Sequence, residues 1–297
     1  MEKVTKRLGD WEIVAVPGRG GALAACRYQG VSILREGMNI AEEAGLVTDS
    51  AAYPMVPFCG RIENGRFSYD GASYALEPNF SPEPHAIHGT GWQSSWAIDR
   101  DKDRLSMVLV DDSLRWPWPF RAEQVFWSDG PLLRLDMSVI NIGERPMPAG
   151  LGWHPFFERT RLKTLGASLG PVADPVIGMI SQESEDKVAL FERCLGNAED
   201  LGAGGFDDCF SLLRGRVDLF QSNRSQHQLI VDPNPGYVVL YAPADDDFIC
   251  FEPVTHVPNA INAASPDTYG VKPLEPGGMA TLSIALRHVP AQDQAQS

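Results

Sequence analysis

Apolar and polar residues alternate along much of this chain, which is the period-2 pattern of a half-buried β-strand. Residues 133–139 show the clearest alternation, and residues 282–286 repeat it near the C-terminus. Shorter and more continuous apolar runs indicate more deeply buried strands. These runs occupy residues 107–110, 237–241 and 248–251, and opening strands are predicted over residues 11–16 and 22–34.

Helical periodicity is weak by comparison. Residues 40–45 and 187–195 are the best candidates for short helices, and neither carries a long 3.6-residue stripe. A doubly wound α/β sheet would need helices of about 10–15 residues between its strands. With 28 glycines and 23 prolines between the strands, the pattern predicts an all-β sandwich or barrel with few short helices. We expect one domain over residues 1–289 and a frayed tail over residues 290–297.

Composition and charge narrow the possible partners. Hydrophobic residues make up 43% of the chain and charged residues 22%, which is ordinary for a globular protein with a real core. The 25 basic and 39 acidic residues give a net charge of −14. This excess of negative charge repels phosphate backbones and anionic membrane surfaces, whereas a neutral small molecule is unaffected. Nucleic acid and membranes are therefore not expected as partners.

The five cysteines are widely spaced, odd in number and without a C-x-x-C pair. They predict buried, reduced thiols, as in cytoplasmic proteins. The N-terminal residues lack the apolar stretch of a signal peptide, and no run of about 18 apolar residues occurs. We therefore expect a cytoplasmic protein, either a monomer or a homodimer.

Three short motifs match known chemistry but lack its structural context. The G-x-S-x-G pattern at residues 166–170 needs a helix after the serine, and Pro171 and Pro175 oppose one. His85 and His88 would point to opposite faces of a strand, and no acidic or cysteine cluster stands beside them to complete a metal shell. No helix follows the glycines at residues 18–21. We therefore expect neither a metal nor another cofactor.

Polar side chains recur in four apolar, proline-flanked segments that adjoin predicted strands. The segments are residues 57–67, 84–89, 152–157 and 251–259. They contain Arg61, His88, His154 and Glu252. Each of these residues, taken alone, is typical of a buried and hydrogen-bonded polar group in a protein core. Their combination indicates a common site.

These segments resemble those of the aldose 1-epimerase (galactose mutarotase-like) family. The matching motifs are GRIENGRF at 60–67, HG at 88–89, HPFF at 154–157, DDCF at 207–210 and EPVTH at 252–256. They follow one another in the family's order between about residue 50 and residue 262. The resemblance is greatest to the smaller bacterial branch, in which FEPVTHVP is followed by Asn259 and Asn262.

The resemblance implies a fold and a reaction. The fold would be a large antiparallel β-sandwich, the galactose mutarotase-like supersandwich. The reaction would be interconversion of the α and β anomers of a free aldose without a metal or cofactor. Glu252 would be the base at the sugar O1 and His154 the acid at the ring oxygen O5. Ordinary pKa values suit these roles, and we expect the carboxylate to keep His154 protonated.

The same resemblance suggests how the monosaccharide is held. Arg61, His88 and Asp207 would bind the sugar oxygens, and Trp92, Trp153 or Phe156 would offer an apolar surface for stacking.

Two departures from the family pattern concern the same surface. Gly60 replaces an asparagine, and Asp208 stands where a histidine is frequent. The identity of the sugar therefore stays open.

Three other functions remain open from the sequence. A hexose-6-phosphate 1-epimerase would need basic residues at the phosphate, which Arg19, Arg35 or Arg66 would have to supply. A non-catalytic sugar-binding protein would share the fold without the chemistry. A glycoside hydrolase would use two carboxylates, with Glu252 and Asp207 as the pair, but it would leave the histidines without a role.

Overall fold

The computed structural model describes residues 1–37, 39–99, 101–158, 161–163, 169–171, 206–212, 216–220, 226–231 and 236–289. Several features predicted from sequence fall outside these ranges. They are the serine of the G-x-S-x-G pattern, the helix over residues 187–195 and the tail over residues 290–297.

Strands dominate the described part of the chain. The first twelve are β1 (Val4–Leu8), β2 (Trp11–Val16), β3 (Ala22–Tyr28), β4 (Val31–Ser32), β5 (Ala52–Met55), β6 (Arg61–Ile62), β7 (Arg66–Tyr69), β8 (Ala72–Ala75), β9 (Ala86–Ile87), β10 (Ala97–Asp99), β11 (Arg104–Asp111) and β12 (Phe120–Asp129). The others are β13 (Leu132–Asn141), β14 (Met147–Ala149), β15 (Gly152–Glu158), β16 (Arg161–Lys163), β17 (Leu169–Pro171), β18 (Phe206–Leu212), β19 (Arg216–Phe220), β20 (Gln226–Val231), β21 (Tyr237–Ala242), β22 (Phe248–Val254), β23 (Lys272–Leu274) and β24 (Met279–Val289).

Helical structure in the described ranges consists of short 3₁₀ turns. They span Val47–Asp49, Glu63–Gly65, Gly91–Gln93, Ala260–Asn262 and Pro266–Tyr269. Among the residues placed by the structure, no helix has the length and apolar character needed to cross a membrane.

Two large antiparallel sheets form the sandwich. One has the strand order β1-β2-β3-β5-β15-β22-β21-β18-β17, with β4 paired to β3, and the other has the order β10-β11-β12-β13-β24-β20-β19-β16. Smaller two-stranded sheets join β6 to β9, β7 to β8 and β14 to β23. This architecture confirms the predicted all-β fold. Sequence-distant strands become neighbours in the first sheet, and that arrangement builds the site described below.

The core follows the alternation seen in the sequence. In β13, Leu133, Leu135, Met137 and Val139 are at most 3% exposed, while the residues between them are half-buried. Strand β24 pairs with β13 and buries its own alternate residues beside them. Side chains from both large sheets join one hydrophobic cluster, and each fully buried aliphatic side chain contributes about 1.5–3 kcal/mol. The predicted strand segments over residues 133–139 and 282–286 are confirmed.

Two local predictions were wrong. The strand predicted over residues 22–34 ends at Tyr28, because Gln29 and Gly30 both have positive φ and turn the chain back into β4. The helix predicted over residues 40–45 is absent, and this segment forms turns instead. Its closing hydrogen bonds are Glu42 N to Asn39 O and Gly45 N to Glu42 O. A six-residue segment supplies too few hydrogen bonds to offset the cost of starting a helix.

Candidate active site

Three neighbouring strands bring together residues that are far apart in sequence. The antiparallel register of β15 with β5 places His154 opposite Tyr53. In the register of β15 with β22, Gly152 lies opposite Val254 and Phe156 lies opposite Cys250. His154, midway between them, therefore lies opposite Glu252. Directly opposed side chains in a sheet share one face. His154 therefore lies between Tyr53 on one side and Glu252 on the other.

All five site residues predicted from sequence line one cavity of about 380 Å³. They are His154, Glu252, Arg61, His88 and Asp207. His154 and Glu252 are only 6% and 2% exposed, and His154 Nε2 lies 3.2 Å from Glu252 Oε1. An imidazole and a carboxylate at this distance can exchange a proton directly, and both border the same cavity.

Burial sets the protonation of this pair. It lowers the pKa of His154 from 6.5 to about 3, and it raises the pKa of Glu252 well above 4.5. Both shifts arise because a charged group loses solvation in the protein interior. The expectation that the carboxylate keeps His154 protonated was therefore wrong in direction, since burial is the largest cause of the shift and favours the neutral imidazole. Both shifts favour the uncharged forms, a neutral imidazole beside a protonated carboxyl, and two groups in contact titrate as a unit.

His88 presents a hydrogen-bond donor to the cavity. Its Nδ1 accepts a hydrogen bond of 3.2 Å from the Gly60 backbone N–H. The neutral ring must then carry its proton on Nε2. Burial, together with the nearby His154 and Arg61, lowers the pKa of His88 well below 6.5. A neutral imidazole with its N–H donor available suits a sugar oxygen.

Arg61 is held between two carboxylates at the cavity wall. Its Nη1 lies 3.1 Å from Asp207 Oδ2, and its Nε and Nη2 contact the two carboxylate oxygens of Glu83 at 3.3 and 3.2 Å. Sequence reasoning missed Glu83, whose only local signal is a carboxylate between two prolines. Asp208, next to Asp207 on β18, alternates to the other face of the sheet. The departure at Asp208 therefore does not change the cavity wall.

Hydrogen bonds join the loop that carries Arg61 to the residues that follow the EPVTH segment. Asn259 N donates to Arg61 O at 2.7 Å, and Glu63 N donates to Asn259 Oδ1 at 3.0 Å. Asn262 Nδ2 donates to the same Asn259 oxygen and to Arg66 O. The two asparagines noted in the sequence therefore hold this loop.

Two glycines in the motifs allow close backbone approaches. Gly60 has a φ of +65°, and a Cβ there would lie 2.7 Å from Pro258 Cβ. An asparagine at this position would require Pro258 to move. The glycine found here leaves room for this proline. Gly89 has a φ of +74°, and a Cβ there would lie 1.9 Å from Val56 O. This contact requires glycine directly after His88.

A second arginine, Arg35, faces the cavity and is one of the three named from sequence as possible phosphate ligands. The Arg35 guanidinium lies over the rings of Phe156 and Phe248, at 4.3 and 4.5 Å from their centroids. It donates to the carbonyl oxygens of Thr48 and Ser50. No ion pair joins Arg35 to any carboxylate in the described ranges. Its charge is thus available to a ligand.

The other residues named from sequence divide into those that line the cavity and those that do not. Arg19 donates to backbone carbonyls of residues 40–43 and does not line this cavity, and neither does Arg66. Phe156 lines the cavity and Trp92 and Trp153 do not, although all three side chains are at most 3% exposed. Phe156 is therefore the stacking surface that the cavity offers among the three.

Among the residues that the structure describes, His85 and His88 belong to no group of side chains close enough to share a metal ion. His85 Nδ1 accepts from the Asn64 backbone N–H, as His88 Nδ1 does from Gly60. A different group of donor atoms lies together in the described part of the chain. It consists of His154, Cys250 and Glu252, whose ligand atoms are all within 4.8 Å of one another.

Comparison with known proteins agrees with this geometry. The family model for aldose 1-epimerase matches residues 12–278. The chain belongs to the aldose 1-epimerase family.

Individual relatives of this epimerase-family chain are distant in sequence but similar along their whole length. The uncharacterised protein YphB of Escherichia coli K12 is 27% identical, over 92% of this chain and 94% of its own. A galactose mutarotase-like protein from Clostridium acetobutylicum superimposes with a TM-score of 0.76 at 18% identity, covering 97% of this chain and 95% of its own. Galactose 1-epimerase from Lactobacillus acidophilus gives 0.70 at 17% identity, covering 97% and 94%. The structural matches establish a shared fold.

Proposed function

We propose that this protein is an aldose 1-epimerase that interconverts the α and β anomers of a free aldose by general acid–base catalysis. The observation that supports this most is the contact of 3.2 Å between His154 Nε2 and Glu252 Oε1 at a cavity of about 380 Å³. The two sugar oxygens that exchange protons, O1 and O5, are bonded to the same carbon. An acid and a base that lie side by side match that arrangement.

The reaction needs one proton removed and one supplied. Glu252 takes the proton of the O1 hydroxyl while His154 donates to O5, and the C1–O5 bond opens to give the aldehyde. Rotation about C1–C2 followed by closure on the other face reverses both transfers. Before ring opening, the carboxyl proton of Glu252 passes to His154 Nε2 across the 3.2 Å contact and leaves a carboxylate beside an imidazolium. Ring opening then leaves Glu252 protonated and His154 neutral, which is the state that closure needs. General acid–base catalysis of this kind contributes about 10²–10⁴-fold.

The other cavity residues would hold the sugar in place. Arg61, fixed by two carboxylates, and the outer oxygen of Asp207 offer a donor and an acceptor for ring hydroxyls. His88 offers its Nε2–H, and Phe156 offers an apolar face. Binding by groups whose own positions are fixed lowers the entropic cost of reaching the reactive geometry.

Anomer exchange measured by NMR on a panel of free pyranoses tests the proposal. We expect the purified protein to accelerate exchange for at least one sugar without consuming it. Binding without acceleration would indicate a sugar-binding protein, and release of product from an aryl glycoside would indicate a hydrolase. Either result would overturn the proposed reaction.

A phosphorylated or otherwise anionic aldose is a second candidate substrate, and one observation favours it. Arg35 faces the cavity with its charge unpaired among the described residues. Arginine binds phosphate and carboxylate groups through charge-assisted hydrogen bonds. The sugar would then carry its anionic group near the aromatic pair Phe156 and Phe248.

The two substrate classes are separated by the ratio of kcat/KM for glucose 6-phosphate to that for glucose. If the anion is recognised, Arg35→Gln should lower this ratio about tenfold or more, the equivalent of one charge-assisted hydrogen bond. Arg19→Gln is the matched control, since Arg19 binds only backbone carbonyls outside the cavity. An unchanged ratio in Arg35→Gln would leave the neutral aldose as the substrate.

A further inference from the structure

We propose that a zinc ion binds through His154 and Glu252, which line this cavity, and Cys250, which is buried beside them. Resting on the proposed reaction, we further propose that the zinc-bound protein cannot process a sugar. Cys250 and Glu252 lie two residues apart on β22 and therefore point to one face of the sheet. His154 lies opposite Glu252 on the neighbouring strand. The ligand atoms of the three residues lie within 4.8 Å of one another.

The donor set is the one that zinc prefers. Zn²⁺ binds histidine nitrogen, cysteine thiolate and carboxylate oxygen at about 2.0–2.3 Å, usually with four ligands. Ligands of one ion therefore lie within about 4 Å of each other. The present spacing needs only small side-chain movements to reach this value. The fourth position would open toward the cavity, where water can enter.

Charge balance also favours the ion. Zn²⁺ bound by a thiolate, a carboxylate and a neutral imidazole makes a neutral group, which is the form that a buried site tolerates best. Binding would release protons, because a thiol and a carboxyl must lose theirs to ligate the ion.

Cys250 has no part in the proposed sugar reaction. It is a fully buried free thiol and lies opposite Phe156 on the neighbouring strand. A bound ion would occupy the Nε2 of His154 and the carboxylate of Glu252, the two atoms that the epimerase reaction needs. Zinc and sugar would then exclude each other.

Cobalt substitution tests the site without relying on activity. The full-length protein, first stripped of metal with a chelator, is titrated with Co²⁺ while the thiolate-to-cobalt charge-transfer absorption is followed, and Zn²⁺ is then added to displace it. We expect one thiolate-bound Co²⁺ per chain. Cys250→Ala should lose this band, and Cys26→Ala, which alters a buried thiol in the other core cluster, should keep it.

Anomer exchange provides the second measurement. One equivalent of zinc should stop exchange by the wild-type protein. In Cys250→Ala, whose rate is compared with its own rate without metal, the same inhibition should need at least about ten times more zinc. Absence of the band in the wild-type protein, or an equal band in Cys250→Ala, would overturn the metal site. Retained exchange in the zinc-bound protein would overturn the exclusion of sugar. A cobalt band in a protein without epimerase activity would support the metal site and refute only the proposed reaction.

Discussion

Tyr53 stacks on the imidazole of His154, with ring centroids 4.4 Å apart and an angle of 23° between the planes. The two residues face each other across neighbouring strands, and Tyr53 is 2% exposed. The phenol ring therefore shields one face of the imidazole from water. Because desolvation is the main cause of the low pKa of His154, we expect Tyr53 to contribute to the proton state of the His154–Glu252 pair.

This shielding predicts an unusual pH profile for a histidine-dependent enzyme. The pair gains a second proton only when the pH falls through the lowered pKa of His154, about 3. The acid limb of kcat/KM should therefore lie far below the ordinary histidine pKa of 6.5. We expect the rate at about pH 5 to stay within about twofold of the rate at about pH 7. A midpoint between pH 6 and 7 would contradict burial as the controlling factor.

Substitution of Tyr53 tests the cause directly. Tyr53→Ala should admit water to the imidazole and move the acid limb upward toward 6.5, because the charged form becomes easier to solvate. Tyr53→Phe preserves the stacked ring and should leave the limb in place. Circular dichroism at each pH separates loss of activity from loss of the fold. If the acid limb lies at the same pH in Tyr53→Ala and Tyr53→Phe, Tyr53 does not control the pKa of His154.

Glu252→Gln should nearly abolish anomer exchange while sugar binding persists, since the amide keeps the shape of the side chain but cannot accept the O1 proton. We expect less than about a tenth of wild-type activity by polarimetry, given the usual contribution of one acid–base group. His154→Gln should have a similar effect. The double variant should be little worse than either single one, because the two groups act as a unit. Retained activity above that level would refute the role of Glu252 as the base.

Much of this site could be predicted because its motifs carry the chemistry within short segments. Arg61, His88, Asp207, His154 and Glu252 were named from sequence, and the structure brings all five to one cavity. Four of them stood out as polar residues in apolar segments, whereas Asp207 and the role of each residue came from the family resemblance.

The residues that were missed depend on pairing between distant strands. Tyr53 lies opposite His154 only because β5 pairs with β15, a contact that spans about a hundred positions. Glu83 reaches the cavity from a loop whose course no local pattern specifies, and for the same reason the sequence could not choose Arg35 over Arg19 and Arg66. The proton state of His154 was also predicted wrongly, because burial depends on the whole fold whereas an ordinary pKa belongs to the side chain alone.

Glu83 should act as a positioning residue for Arg61. In Glu83→Gln the two contacts to the guanidinium weaken, and Arg61 is then held by Asp207 alone. We expect KM to rise about fivefold, the equivalent of about 1 kcal/mol, with kcat changed by less than about twofold. Steady-state kinetics and thermal unfolding distinguish this from general destabilisation. A fall in kcat with KM unchanged would show that Glu83 acts on the reaction rather than on binding.

Acid should destabilise the fold through His256, which is buried beside the site. Its Nε2 accepts from the Cys59 backbone N–H at 3.1 Å, its Nδ1 lies 2.8 Å from Val257 O, and burial lowers its pKa to about 4. The unfolded chain binds the proton near pH 6.5, so the contribution of His256 is complete above that pH and is lost as the pH falls toward 4. His256→Gln removes this titration. The difference in unfolding free energy between wild type and variant, from urea melts, should therefore shrink by about 2–3 kcal/mol between about pH 7.5 and 4.5. Because the other buried groups titrate equally in both proteins, a difference that stays constant with pH would show that His256 is not held neutral in the folded state.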